Sequence, residues 1–303
     1  MKKVFNFIFF TTKTGFFLVA AVLMFFGLWY VNACHDPEGF KWHDVIVESH
    51  GMLFDLFVFG IVLSIYEWFR ERKEQTERIL KAKYEKIERL HEEIDDYRGW
   101  REQEAAYRIA GAIRRLNRVE VYKVNLSECY LVNANLEVVN LQNANLLEAE
   151  LQGAKLNSAN LSGADLMYAS LRGAQLRNAI IKQSDLSETS LADAILEAAN
   201  FQGSSLRCAD LQRANLEGTN LEGCDLRNAT LFGVNLKKAS IATRSEKGMR
   251  FLPQAANLTS ADLRGAMVDK DFLDNILTWE VLGAAEINRK YMFDSYSGSL
   301  KEK

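Results

Sequence analysis

LQNAN-LLEAE-LQGAK-LNSAN-LSGAD-LMYAS, residues 141–170, carries leucine at the first position and alanine at the fourth of every group of five. The same register holds from Leu126 to Ile241, 24 first positions in all, departing from leucine only at Ile181, Phe201 and Ile241. A period of five matches neither the helical turn of about 3.6 residues nor the two-residue alternation of a strand. The chain has to turn after each group and stack on its own earlier turns. A spacing of about 4.8 Å then lets each turn satisfy the backbone groups its neighbour leaves open.

The fourth position is restricted to small side chains. Alanine dominates, as at Ala134, Ala144, Ala154 and Ala159, with Cys129, Val139, Ser184, Thr189, Ser204, Cys224 and Val234 among the exceptions. A narrow tube in which a small residue sits beside each buried leucine accounts for that restriction. Each such leucine contributes on the order of 1.5–3 kcal/mol. The runs Ala134-Asn135-Leu136, Ala144-Asn145-Leu146, Ala159-Asn160-Leu161, Ala164-Asp165-Leu166, Ala199-Asn200-Phe201, Ala209-Asp210-Leu211 and Ala261-Asp262-Leu263 resemble the A-(D/N)-L-x-x signature of pentapeptide-repeat proteins. The resemblance covers about half the chain. It implies an all-β solenoid over residues 119–270, a right-handed quadrilateral parallel β-helix with four repeats per coil. Six coils, a rod of roughly 30 Å, follow at that spacing. Such a tube needs protected ends. Asn or Asp ahead of each leucine can bond local backbone at the corners, without any ligand.

The register breaks once. Ile241 and Leu258 are 17 residues apart, so 12 extra residues enter one five-residue step. The insertion, residues 242–254, is basic with one aromatic, and Arg244, Lys247, Arg250 and Phe251 form a candidate interaction loop; a tolerated surface insertion is the simpler reading. Leu258, Leu263 and Val268 resume the period. Asp271–Met292 reads as a helical cover for the open end, and Ser295–Lys303 as a disordered tail.

The first third reads as a transmembrane helical hairpin, residues 1–69, with spans of about 15–31 and 51–69. Gly15–Val31 holds no charge, and Gly51–Tyr66 is apolar apart from Asp55 and Ser64. Lys2, Lys3 and Lys13 precede the first span, and Arg70, Arg72 and Lys73 follow the second. The positive-inside rule then places both termini and the repeats in the cytoplasm of a bacterial inner membrane. Cys34 loosely resembles a lipoprotein processing site, which Asn32 and the aromatic run before it fit poorly. His35, His43 and His50 share the intervening loop, residues 32–50, with Cys34, Asp36, Glu38, Asp44 and Glu48, at spacings that match no established metal motif. Asp55 is a candidate intramembrane polar residue; a helix N-terminus that favours an acid explains it without a pore.

Residues 70–118 read as a cytoplasmic helical stalk. Leu80, Ile87, Leu90, Ile94 and Tyr97 fall on a/d spacing, a candidate self-association seam; packing on the protein itself explains the stripe equally well. After Gly99, Ala106, Ile109, Ile113 and Leu116 mark a second amphipathic face suited to cap the first coil.

Cys129 and Cys224 occupy inward positions and Cys208 an outward one, so all three read as unpaired thiols in a reducing compartment. The repeats contain no histidine, and the chain has no C-x-x-C pair, phosphate-binding glycine loop or serine elbow. No enzyme and no cofactor are implied. The expected function is a membrane-anchored scaffold whose rod binds an unidentified cytoplasmic protein. Two alternatives stay open: a homo-oligomeric effector or sensor in stress or phage defence that perturbs the bilayer, and a topoisomerase inhibitor of the DNA-mimicking kind known in the family. For the latter, the stripe Glu128, Glu148, Asp165, Asp185, Glu188 and Asp225, set against Arg207 and Arg227, is thin for a mimic of a polymer bearing a charge every ~1.7 Å. Nucleic acid is not an expected partner.

Overall fold

A computed structural model gives the architecture of residues 27, 30, 42–241, 256–270, 272–278 and 283–303, with only the backbone at 42–54, 56, 275 and 278. The chain divides into two compact units, 1–85 and 86–303. Its elements are α1 (Trp42–Asp96), α2 (Gln103–Asn117), α3 (Phe272–Thr278), α4 (Ala284–Lys290), β1 (Tyr291–Asp294) and β2 (Ser299–Glu302). Between α2 and α3 runs the solenoid.

Each residue ahead of a first position bridges in parallel to its counterpart 20 residues on, Asn125 to Asn145, Asn145 to Asp165, and so on to Asn220 with Ser240. Four pentapeptides therefore complete one coil. The rungs Asn125, Asn145, Asp165, Asp185, Ser205, Asp225 and Asn257 number seven on this side. Asp225 and Asn257 are 32 residues apart, one coil of 20 plus the 12 inserted after Ile241, so the last coil rejoins the ladder in register.

In nearly every group the fourth N–H donates to the first carbonyl, as Ala134 does to Leu131 at 3.0 Å; Ser184 instead donates its N–H to Ser204 Oγ at 3.1 Å. The third residue takes a positive φ, +57° at Glu128, +60° at Val138 and +65° at Gly153. That combination makes each corner a type II turn. The Asn or Asp that ends the previous group locks the corner by accepting from the N–H two residues on, as Asn145 Oδ1 does from Leu147 at 3.0 Å and Asp185 Oδ1 from Ser187 at 2.9 Å.

First and fourth positions point inward, and Leu126, Ala134, Leu136 and Phe201 are fully buried. Ile181, Phe201 and Ile241 are spaced by whole coils, so all three departures from leucine lie on one column. The polar fourth positions are satisfied: Ser184 Oγ donates to Leu161 O and Thr189 Oγ1 to Leu166 O, both at 2.7 Å, and Ser204 Oγ donates to Ile181 O. A buried hydroxyl is tolerated here because a carbonyl of the preceding coil waits for it.

α2 closes the first coil, as its amphipathic face predicts. Ala105, Ala106, Ile109, Ala110, Ala112, Ile113 and Leu116 are buried. The coil's outer carbonyls are met by side chains: Arg98 bonds Ser127 O and, at 3.2 Å, Asn125 O; Gln103 Nε2 reaches Val132 O at 3.2 Å; Arg114 Nη1 reaches Asn135 O at 2.7 Å. Gly99, with φ +76°, turns the chain between α1 and α2.

The far end corrects two expectations. The cover is two short helices rather than one, with Tyr291 and Met292 in strand β1 instead of helix, and the tail Ser295–Lys303, expected to be disordered, supplies the turn and strand β2 of the antiparallel hairpin β1–β2. The last coil's open backbone groups need partners. Leu300 supplies them, accepting from Gly265 N at 2.8 Å and donating to Ala266 O at 2.9 Å, with its side chain fully buried. At Gly283, the start of α4, an added Cβ would meet Thr259 N at 2.6 Å and Leu258 C at 2.8 Å, so only glycine allows this approach.

Of the first third, α1 begins at Trp42, inside the expected loop 32–50, and continues without a boundary at residue 70. Pro37 and Gly39 lie ahead of its start, and no further breaker interrupts the segment to Ser49. Among the described residues no helix is long and apolar enough to cross a membrane. The first expected span, apart from Gly27 and Tyr30, lies outside the described residues, as do the side chains of 51–54 and Leu56 in the second.

Candidate functional site

Each pentapeptide offers its second and third residues to solvent, and the 20-residue coil stacks them in columns. Two columns are ladders of ion pairs. Arg213 forks onto Asp193 at 2.7 and 2.8 Å, with Arg172 3.5 Å from the same carboxylate. Arg177 lies 2.8 Å from Glu197, and Lys238 lies 2.7 Å from Glu217. The guanidinium of Arg213 holds the Asp193 carboxyl below its ordinary range, and Lys238 does the same for Glu217. Exposed pairs of this kind add little stability each.

The acidic column expected for a DNA mimic divides in two. Asp165, Asp185 and Asp225 spend an oxygen on local N–H groups, and Asp225 is also paired by Arg227 at 2.5 Å, which lowers its pKa. Glu128, Glu148 and Glu188 remain, exposed on one column with Tyr168 between the last two. Tyr168 donates to Glu188 Oε1 at 3.3 Å, and that carboxylate raises the pKa of the phenol.

Arg244, Lys247, Arg250 and Phe251 lie outside the described residues. So do the side chains of His35, His43 and His50; among the described residues no three His, Cys, Asp or Glu come together as a metal site. Asp55 is exposed on α1. The seam is reassigned. Leu90 and Ile94 are buried in the core that α2 and the solenoid share, with Ile87 and Tyr97 packed against it, and only Leu80 stays exposed. The a/d stripe is real, but its C-terminal part finds its partner within the chain. The cysteines stand as read: Cys129 and Cys224 are buried and Cys208 is exposed. Burial pushes the two inner thiols up to about 11 and about 12, and Cys224 Sγ donates to Phe201 O at 2.9 Å.

One feature escaped the sequence reading. Tyr107, Arg108, Gly111, Arg114, Arg115 and Arg118 line an open hollow on the outer side of α2, with Glu93 across from them. Helical spacing along 107, 111, 114 and 118 is the signal that could have found it.

The family described as Pentapeptide repeats matches in eight copies, over residues 122–157, 144–183, 184–223 and 209–241. The rod is a pentapeptide-repeat domain. Solved structures of such repeats are similar to it. One is the pentapeptide repeat protein Rfr23 from the cyanobacterium Cyanothece 51142, 35% identical with a TM-score of 0.23 over 39% of this chain and 61% of that one. The chain thus spans about 61% of the length of that relative. Another is the pentapeptide repeat protein alr5209 from Nostoc Pcc 7120, 28% identical with a TM-score of 0.23 over 39% of this chain and 80% of that one. A third is QnrB1, a plasmid-mediated fluoroquinolone resistance protein, 18% identical with a TM-score of 0.35 over 52% of this chain and 83% of that one. No curated protein matches the chain.

Proposed function

We propose that this is a non-enzymatic, membrane-anchored scaffold of the bacterial inner membrane, whose pentapeptide-repeat rod binds a protein in the cytoplasm. The observation that carries the anchor is on α1. Val58, Phe59, Val62, Leu63, Ile65, Tyr66 and Phe69 are all exposed within three turns of one helix. An apolar patch so dense marks a surface that water does not cover. The basic residues Arg70, Arg72 and Lys73 follow at once, as they do at a cytoplasmic membrane boundary. The binding role rests on the rod's construction. Its outward side chains stand at fixed spacing on a tube closed by α2 at one end and by β2 at the other.

Fractionation of cells expressing the full chain tests the anchor. The protein should pellet with membranes and resist carbonate at high pH, and Cys208 should be shielded from an impermeant maleimide until the membrane is opened. Recovery in the soluble fraction would sink the proposal.

A second reading, an oligomeric membrane effector, draws on Ile79, Leu80 and Tyr84, exposed on α1 beyond the patch. It predicts depolarisation on expression, abolished by Leu80→Lys. Duplex mimicry is disfavoured, because the Arg172–Asp193–Arg213, Arg177–Glu197 and Lys238–Glu217 contacts neutralise acids that a mimic would display.

A further inference from the structure

α2 buries one face against the first coil and turns the other outward. On that outer face Tyr107, Gly111, Arg114 and Arg118 follow one another at helical spacing, with Arg108 and Arg115 alongside. They line a hollow of about 400 Å³. Its floor is Gly111, in the middle of a 15-residue helix, where glycine is destabilising relative to alanine. Among the described residues nothing calls for that glycine. An added Cβ would meet only Arg115 Nη2 at 3.9 Å, and the backbone is ordinary α-helix. Among the described residues the usual reasons for glycine, a positive φ or a close internal approach, are both missing, which suits close approach by a ligand.

The walls state the chemistry. Arg108 is held by Glu104 at 2.8 Å, Arg115 by Glu93 at 2.7 Å, and Arg114 uses one nitrogen on Asn135 O. Arg118 has no side-chain hydrogen bond or ion pair among the described residues. Four cations thus stand against two carboxylates, with heads partly immobilised and donors to spare. Cations near a helix C-terminus are favoured by its dipole, which explains Arg115 and Arg118 singly, but neither the bare floor nor the exposed Tyr107 beside it. Guanidinium groups lining one hollow match the oxygens of a phosphate group. We propose that the hollow over Gly111 is a binding site for a small phosphate-bearing ligand, held by Arg114, Arg115 and Arg118 with Tyr107 as a flat wall. The site is independent of whether the chain is anchored in a membrane.

Calorimetric titration of the full-length chain in nonionic detergent tests this, at about 0.15 M salt so that loose surface attraction is screened. The probes are sodium pyrophosphate and a water-soluble short-chain phosphatidylglycerol, with short-chain phosphatidylcholine as the uncharged control. The wild-type chain should bind an anionic probe. Arg118→Gln should weaken binding about tenfold, and Gly111→Leu, which fills the floor with a better helix former, should abolish it while the melting temperature holds or rises. Tighter binding of phosphatidylglycerol than of pyrophosphate assigns the site to a lipid headgroup, and the reverse assigns it to a soluble phosphate. Absence of binding by both anionic probes would overturn the site, as would titration curves left unchanged by Arg118→Gln or by a well-folded Gly111→Leu. Should Gly111→Leu melt early, the Arg118→Gln titration decides alone.

Discussion

The side-chain amide of Asn117 pairs with both backbone groups of Asn140, Nδ2 donating to the carbonyl at 2.8 Å and Oδ1 accepting from the N–H at 2.7 Å. One coil further on, Asn160 donates to Val139 O at 2.9 Å and Leu141 to Asn160 O at 2.7 Å. Asn117 therefore stands where a coil below the first would be, a side chain doing the work of missing backbone. Replacing it with alanine leaves a donor and an acceptor half-buried without partners. Asn117→Ala should cost about 2 kcal/mol in a denaturant titration. An unchanged midpoint would mean water replaces the amide without penalty.

Val138 holds a φ of +60°, in the third position of its repeat, with its side chain exposed. A β-branched residue is strained there, whereas Asn133 and Asn143 adopt the same conformation with little strain. Val138→Asn removes no buried contact and should stabilise the rod by about 1 kcal/mol. Thermal denaturation of the two chains side by side gives the sign.

Ile94 and Leu80 share a stripe in the sequence and part company in the fold. Ile94→Ala removes a fully buried side chain and should cost about 2–4 kcal/mol. Leu80→Lys alters an exposed position and should leave stability within about 0.5 kcal/mol. If Leu80→Lys destabilises the isolated chain as much as Ile94→Ala, the packing described for α1 is wrong.

The cysteines give a pH prediction. Burial raises the Cys129 and Cys224 thiols to about 11 and about 12, above the ordinary value of 9.0. In the unfolded chain both ionise earlier, so the folded state holds more protons over that range. Their contribution is full below pH 9 and lost as the pH climbs through about 11 to 12. Alkylation of the native protein at pH 8 should mark Cys208 and spare Cys129 and Cys224 until denaturant is added. Mass spectrometry of the digested protein reads this directly.

The period-five column from Leu126 to Ile241 determined the solenoid without help. Only a coil of repeating turns can bury every fifth residue, and the spacing itself states the geometry. The 12-residue insertion and its return to register at Leu258 were legible for the same reason, since a slip would have broken the arithmetic of leucine positions. The locking role of the corner Asn and Asp followed from their place ahead of each turn. Where the period stops, the sequence became ambiguous. The stripe Leu80–Tyr97 has the same pattern whether its partner is a second copy or its own chain, and only the position of α2 decided that Leu90 and Ile94 are internal. Ser295–Lys303 looked like a disordered tail because the four strand residues Ser299–Glu302 carry little signal of their own. Their order comes from the last coil, whose open backbone groups exist only once the rod is built. The hollow over Gly111 had the same origin: the arginines are separate in sequence, and α2 gathers them on the one face that the solenoid leaves uncovered.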